Sequence, residues 1–150
     1  MQNTIVPFRL NNTWLGLELK AVKKVDSCGK ISIIPNTEAP LAGLMQKNGK
    51  IFPIWSLFNL VGGKNTDVNK CLLHIEIEVD GKPIMIPVDE ILPVTQKGTG
   101  WIPTVKYGLQ IFRSLDKKAP QYIDDVEEIQ MDHPFQDETP GSYFNIEELQ

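Results

Sequence analysis

The stretch that decides the fold is Cys71-Leu-Leu-His-Ile-Glu-Ile-Glu-Val-Asp-Gly-Lys-Pro-Ile-Met-Ile-Pro-Val88. Apolar residues alternate with polar ones on both sides of Asp80-Gly81, a dipeptide that favours a tight turn between antiparallel strands. The alternation predicts strands over residues 71–79 and 82–88, with Ile75 and Ile86 on the inner face. It also predicts that His74, Glu76 and Glu78 lie on the opposite, polar face. The core of this protein is therefore expected to be built from β-hairpins.

The same period of two recurs on both sides of this hairpin. A first hairpin is predicted from residues 6–10 and 15–19 around Asn11-Asn12, with Pro7 placing its first strand at an edge or a bulge. A strand over residues 31–34 and a second hairpin around Asn48-Gly49 follow, the latter leading into residues 50–55. Short strands are also expected at residues 101–103, 109–112 and 143–146. Many short strands with regular turns indicate an all-β barrel or sandwich.

Other stretches are predicted to lie outside the strands. Residues 20–25 and 89–94 are expected to form short helical turns. Residues 62–69 form a polar stretch and mark the expected internal junction of a single domain over residues 1–150. Tyr122, Val126 and Ile129 have helical spacing, although a bent strand is also possible, and residues 132–142 are expected to be loop.

Composition excludes several classes of protein. The chain has 150 residues, 41% hydrophobic and 23% charged, which are values of an ordinary globular domain. A net charge of −4 argues against a general nucleic-acid binder. There is no apolar run long enough to span a membrane and no signal peptide at the start, so a cytoplasmic protein without membrane insertion is expected. The oligomeric state is left open.

Residue patterns for catalysis and metal binding are weak. Cys71 and His74 would lie on opposite faces of a strand, so a surface histidine beside Glu76 is the preferred interpretation and no metal is expected. The acidic run over residues 124–128 is interpreted as a solvated face. No nucleophile, base or cofactor-binding set emerges, so an interaction protein without a cofactor is expected. A small-ligand or enzyme-like barrel, using residues such as His74 or Trp101, is the alternative.

From Phe8 to Val94 the order of features resembles the CheW-like domain, the coupling module of chemotaxis. The opening hairpin is followed by a Val-rich turn, Ala21-Val22-Lys23-Lys24-Val25, and by a strand that ends at Pro35. Next come the run Leu41-Ala42-Gly43-Leu44, then Gly49, then the strand Ile51-Phe52-Pro53-Ile54. The hairpin of residues 71–88 and Val88-Asp89-Glu90-Ile91-Leu92-Pro93-Val94 resemble the second half of the family, and residues 145–149 its closing element.

The resemblance implies a mostly β fold of two small five-stranded β-barrel subdomains packed together, with short helical turns. It implies no catalysis, but an adaptor that joins the cytoplasmic tip of a methyl-accepting receptor to the regulatory domain of the histidine kinase CheA. It places the partner groove between the subdomains, at Val22, Val25, Leu41, Gly43 and Leu44, with Lys24 and Asn48 at its edge. Where the family typically has Glu, Arg and Asp, this chain has Lys24, Asn48 and Ser56, and Lys24 is expected to influence which partner binds.

Overall fold

Strands and three short 3₁₀ helices account for most of the chain in this computed structural model, which describes residues 4–116 and 118–120. The 3₁₀ helices span Leu19–Ala21, Phe58–Val61 and Asn65–Lys70. The strands are β1 (Thr4–Leu10), β2 (Thr13–Glu18), β3 (Lys24–Ser27), β4 (Lys30–Ile33), β5 (Leu41–Lys47), β6 (Lys50–Trp55), β7 (Leu73–Val79), β8 (Lys82–Val88), β9 (Glu90–Ile91), β10 (Thr95–Gln96), β11 (Trp101–Lys106) and β12 (Leu109–Ser114).

The strands form two six-stranded sheets. The first sheet has the order β10–β1–β2–β12–β11, with β9 also paired to β1. The second has the order β3–β7–β8–β6–β5–β4, and all its neighbours are antiparallel except β6 and β8. The predicted mostly β fold of two packed subdomains is confirmed. Each described sheet has six strands where five were expected. In the first sheet the two-residue strands β9 and β10 share β1 as their partner, and in the second sheet β4 adds an edge strand next to β5.

The hairpin that decides the fold forms as predicted. β7 and β8 pair antiparallel with Ile75 opposite Ile86, and both side chains are fully buried. Asp80 and Gly81 have φ angles of 52° and 77°, the positive values that a type I′ turn requires at both central residues. The hairpin therefore supplies the centre of the second sheet.

The polar face of this hairpin was predicted wrongly at one residue. His74 is only 1% exposed and lies opposite Pro87. The next pair on the same face is Glu76 and Met85, and Met85 is also buried. The outer face is covered at this end of the hairpin, where His74, Met85 and Pro87 are all buried, whereas Glu78 at the other end is exposed. A period of two identifies two faces but does not show that one of them meets water.

Pro7 lies inside the first sheet, and not at its edge. On one side β1 pairs with β2 along its length, and on the other side it pairs with β10 at residues 4–5 and with β9 at residues 8–9. Pro7 falls between these two partners, where its carbonyl accepts a hydrogen bond from Leu92. The missing N–H of proline therefore coincides with a change of partner strand, which explains how an interior strand tolerates it.

Residues 62–69 are not a linker between the two sheets. They connect β6 to β7 within the second sheet, and much of the stretch is the 3₁₀ helix Asn65–Lys70. Val68 of this helix is fully buried, and the Asp67 carboxylate accepts a hydrogen bond from the Lys64 N–H at 3.0 Å. Burial of Val68 anchors the segment to the core of the protein.

The chain changes sheets between β2 and β3 and again at Asp89, between β8 and β9. The Asp89 carboxylate accepts hydrogen bonds from the Asn11 N–H at 2.7 Å and from the Lys70 ammonium at 3.0 Å. Asn11 belongs to the β1–β2 turn of the first sheet, and Lys70 to a 3₁₀ helix attached to the second. Asp89 therefore ties the two sheets together at the point where the chain crosses.

Several predictions from the sequence fall outside the described residues. These are the helical or bent-strand segment around Tyr122–Ile129, the loop over residues 132–142, the strand over residues 143–146 and the closing element of residues 145–149.

Candidate functional site

The second sheet curls until its β3 and β5 strands meet along a seam, defined here as Asp26, Ser27, Gly29 and Lys47. The Lys47 ammonium lies 3.4 Å from an Asp26 carboxylate oxygen and 3.2 Å from the Ser27 hydroxyl. A Cβ atom on Gly29 would lie 2.2 Å from the carbonyl oxygen of Gln46, so only glycine allows this approach. The seam brings the end of β3 close to the β5–β6 turn.

The charges at the seam are coupled to the buried histidine. Partial burial acts to raise the pKa of Asp26, but the Ser27 N–H and the Lys47 ammonium outweigh it and leave that pKa below its usual value. Burial, followed by repulsion from Lys47, lowers the pKa of His74 to about 4, although Asp26 opposes the shift. His74 is therefore neutral at pH 7, and neither ring nitrogen has a hydrogen-bond partner among the described residues.

Two of the predicted partner-binding residues lie in the core. Val22 and Val25 are each 7% exposed and belong to the main hydrophobic cluster. Val25 lies opposite Ile75, which is fully buried. The candidate surface described below therefore does not include these two valines.

The other predicted residues follow β5. Leu44 is 37% exposed, whereas Gly43 is buried, with room for no side chain because a Cβ atom would lie 2.1 Å from the Ser32 carbonyl oxygen. Leu41 is half-buried at the start of the strand, and Asn48 is exposed in the turn at its end. The structure thus brings Leu41 and Leu44 together on one strand but leaves Asn48 at the far end.

Leu44 belongs to an apolar face on the outside of β5 and β6. It lies opposite Pro53, and Leu41 lies opposite Trp55. Ile51, two residues from Pro53 on the same face, is 65% exposed.

This face continues across to the first sheet. The Trp55 ring meets the Tyr107 ring edge-on, with centroids 6.2 Å apart, and Tyr107 lies in the β11–β12 turn. The face therefore spans the boundary between the two sheets. We define the β5–β6 face as Leu41, Leu44, Ile51, Pro53, Trp55 and Tyr107.

Ile51, Trp55 and Tyr107 were not predicted as site residues. The first two could have been found, because period two places Ile51 and Trp55 on the same side of β6 as Pro53. Tyr107 gives no such signal, since its contact with Trp55 joins elements that are far apart in sequence.

The positions that differ from the family pattern have different surroundings. Lys24 is exposed near the seam, and Asn48 is exposed with a φ angle of 53°, next to Gly49 at 77°. Ser56 is fully buried and its hydroxyl oxygen accepts a hydrogen bond from the Phe58 N–H at 3.3 Å. Lys24 and Asn48 can meet a partner, whereas Ser56 stabilises a turn.

The residues named for a ligand-binding alternative do not converge. His74 is buried in β7 of the second sheet, and Trp101 begins β11 of the first. Within residues 4–116 and 118–120, no cluster of three or more His, Cys, Asp or Glu side chains is arranged to hold a metal ion. No helix in the same part of the chain is long and apolar enough to cross a membrane.

Comparison with known protein families gives a match to the CheW-like domain over residues 4–100. The chain belongs to the CheW-like domain family. The match begins at β1 and ends after β10, so it covers the whole second sheet and the first sheet without β11 and β12. It confirms the resemblance found between Phe8 and Val94.

Among solved structures, the chain is similar to the scaffolding protein TtCheW from Thermoanaerobacter tengcongensis. The two share 23% sequence identity with a TM-score of 0.52, and the alignment covers 75% of this chain and 88% of that one. At this level of identity the likeness shows a shared fold. No curated protein sequence matches the chain.

Proposed function

We propose that this CheW-like chain is a non-catalytic adaptor in chemotaxis-type signalling. In this proposal it acts in the cytoplasm and couples the cytoplasmic tip of a methyl-accepting receptor to the regulatory domain of a CheA-type histidine kinase. The observation that carries the proposal is the β5–β6 face, an exposed apolar surface at the boundary of the two sheets in a chain of this family.

The composition of this face supports protein binding. Leu44 and Ile51 expose apolar side chains, and Trp55 and Tyr107 add aromatic rings that are half-buried and already fixed against each other. Partner binding usually draws most of its free energy from a few such anchors, because rigid aromatic and apolar groups lose little entropy on binding. Asn48 lies in the turn at one end of this face, and Lys24 is exposed near the seam. Charges at the rim of an interface mainly set selectivity.

A matched pair of variants tests the proposal. Leu44→Asp places a charge in the β5–β6 face, whereas Leu72→Asp places one on a leucine that is 79% exposed outside this face. Binding of a receptor-tip fragment and of a kinase regulatory domain is measured by calorimetry, with circular dichroism to check folding. We expect Leu44→Asp to weaken binding of one of them at least about tenfold, which is ~1.4 kcal/mol, and Leu72→Asp to leave both unchanged.

Two results would contradict the proposal. If neither fragment binds the wild-type protein, the receptor–kinase role is wrong. If Leu44→Asp stays folded and binds as the wild type does, the β5–β6 face is not the site.

A further variant, Lys24→Glu, is expected to change the ratio of the affinities for the receptor-tip fragment and the kinase regulatory domain more than their sum.

A further inference from the structure

The β11–β12 hairpin presents an uncovered edge of the first sheet. β11 pairs with β12 on one side, and no described strand pairs with its other side. Ile102, Val105 and Leu115 on this hairpin and its exit are 47%, 66% and 67% exposed. An open edge that also exposes large apolar side chains is normally covered by another segment, since it would otherwise pair with other chains.

This hairpin is also basic. Lys97, Lys106 and Arg113 lie on it or directly before it, and none of them forms an ion pair with a carboxylate among residues 4–116. Lys97 and Lys106 lie instead over aromatic rings, 5.3 Å and 6.0 Å from the ring centroids. The hairpin therefore offers positive charges that have no anionic partner within the described fold.

The charges of the whole chain are divided unevenly along the sequence. Residues 121–150 contain nine of the 19 acidic residues and none of the 15 basic ones. Residues 1–120 therefore have a formal charge of +5, and residues 121–150 one of −9. The net charge of −4 is the sum of a basic part, residues 1–120, and an acidic segment, residues 121–150.

The acidic segment starts close to the basic hairpin. The Leu115 N–H donates a hydrogen bond of 2.8 Å to the carbonyl of Gly100, so the chain leaves β12 beside the beginning of β11. Residue 121 follows only six positions after Leu115. A short tether of this kind gives an intramolecular partner a high effective concentration, on the order of millimolar.

We propose that residues 121–131 bind the β11–β12 hairpin of their own chain. The carboxylates of residues 124, 125, 127 and 128 would face Lys106 and Arg113. Tyr122, Val126 and Ile129 would cover the exposed Ile102, which lies on the same face of the hairpin as those two basic side chains. Opposite charge, complementary apolar groups and the short tether all favour this segment over a separate partner. This inference is separate from the receptor–kinase role, because the occupant comes from the same chain; the two surfaces adjoin only at Tyr107, in the turn of the hairpin.

Paramagnetic broadening in the full-length protein tests the proposal. A nitroxide is attached to Gln130→Cys, which leaves every charge in place. The native cysteines interfere little, because Cys71 is buried and burial raises the pKa of the Cys28 thiol to about 12. We expect the amide signals of Ile102, Val105 and Leu115 to lose most of their intensity, and those of Asn48 and Gly49 in the β5–β6 turn to keep theirs.

The matched control keeps the label and neutralises the segment with Asp124→Asn, Asp125→Asn, Glu127→Gln and Glu128→Gln. We expect this variant to lose most of the broadening at the hairpin. Arg113→Glu, a change at an exposed position, is expected to weaken it as well.

The other outcomes overturn the proposal. Absence of broadening, equal broadening at the β5–β6 turn, or unchanged broadening in the neutralised variant would each exclude this contact. Broadening that also appears when spin-labelled protein is mixed with unlabelled, isotope-enriched protein would identify a second copy as the occupant.

Discussion

Replacing the buried histidine should change how stability depends on pH. The pKa of His74 is lowered from 6.5 to about 4 in the folded state, mainly by burial and then by Lys47. The folded protein therefore resists protonation of His74, while the unfolded chain accepts the proton below pH 6.5. This contribution to the free energy of unfolding is fully present above pH 6.5 and is lost as the pH falls towards 4. The difference amounts to about 3 kcal/mol between pH 7 and pH 4.

The assay compares wild type and His74→Leu by urea unfolding at several pH values between 7 and 4. Other titrating groups are common to both proteins, so the difference in their free energies of unfolding isolates His74. We expect this difference to move by about 3 kcal/mol in favour of His74→Leu on going from pH 7 to pH 4. The matched control is His133→Gln, which alters the only other histidine and should keep the wild-type pH dependence. Parallel curves for wild type and His74→Leu would refute the reasoning, because they would mean that His74 titrates alike in both states.

Three further predictions follow from described contacts. Asp89→Ala should lower the free energy of unfolding by about 2 kcal/mol. The Asp89 side chain is only 9% exposed, and its removal leaves the Asn11 N–H and the Lys70 ammonium without their acceptor. A loss below about 0.5 kcal/mol in denaturant titrations would contradict this. Gly43→Ala should force β4 and β5 apart, since the new Cβ atom would lie 2.1 Å from the Ser32 carbonyl oxygen, and an unchanged melting temperature would disprove the crowding. Cys28 and Cys71, whose thiol pKa values are raised chiefly by burial, should react with a disulfide reagent much more slowly in the native protein than in denaturant; equal rates would show that both are accessible.

The elements that could be predicted from the sequence are those with local causes. Asn48-Gly49 and Asp80-Gly81 favour positive φ angles by their own chemistry, so both turns were predicted. For the Asp80-Gly81 hairpin the alternation also predicted the inner face that holds Ile75 and Ile86. The β11–β12 turn was missed because Tyr107 occupies a position with a φ angle of 56°, where Asn or Asp is the usual residue. Here the pairing of the flanking strands determines the turn, and a sequence shows such pairing poorly.

What could not be predicted depends on the curling of the sheets. The burial of His74 results from strands that pair far away in sequence, and no local pattern records it. The candidate site shows the same division. Leu44 and Val22 were both predicted as partner-binding residues from the family resemblance. Leu44 is exposed, whereas Val22 is buried. The contact between Trp55 and Tyr107 needs both sheets in place.

The two sheets differ in how much of the chain they require. The second sheet uses the continuous stretch from β3 to β8, whereas the first needs β1 and β2 together with β12, which pairs with β2. During synthesis on the ribosome, the N-terminal hairpin therefore emerges long before its partner strand has been made. During that interval the side chains of Phe8 and Leu15, which are buried in the folded protein, lack their final neighbours. We expect the second sheet to form first, and the N-terminal hairpin to be the part of the nascent chain on which a chaperone acts.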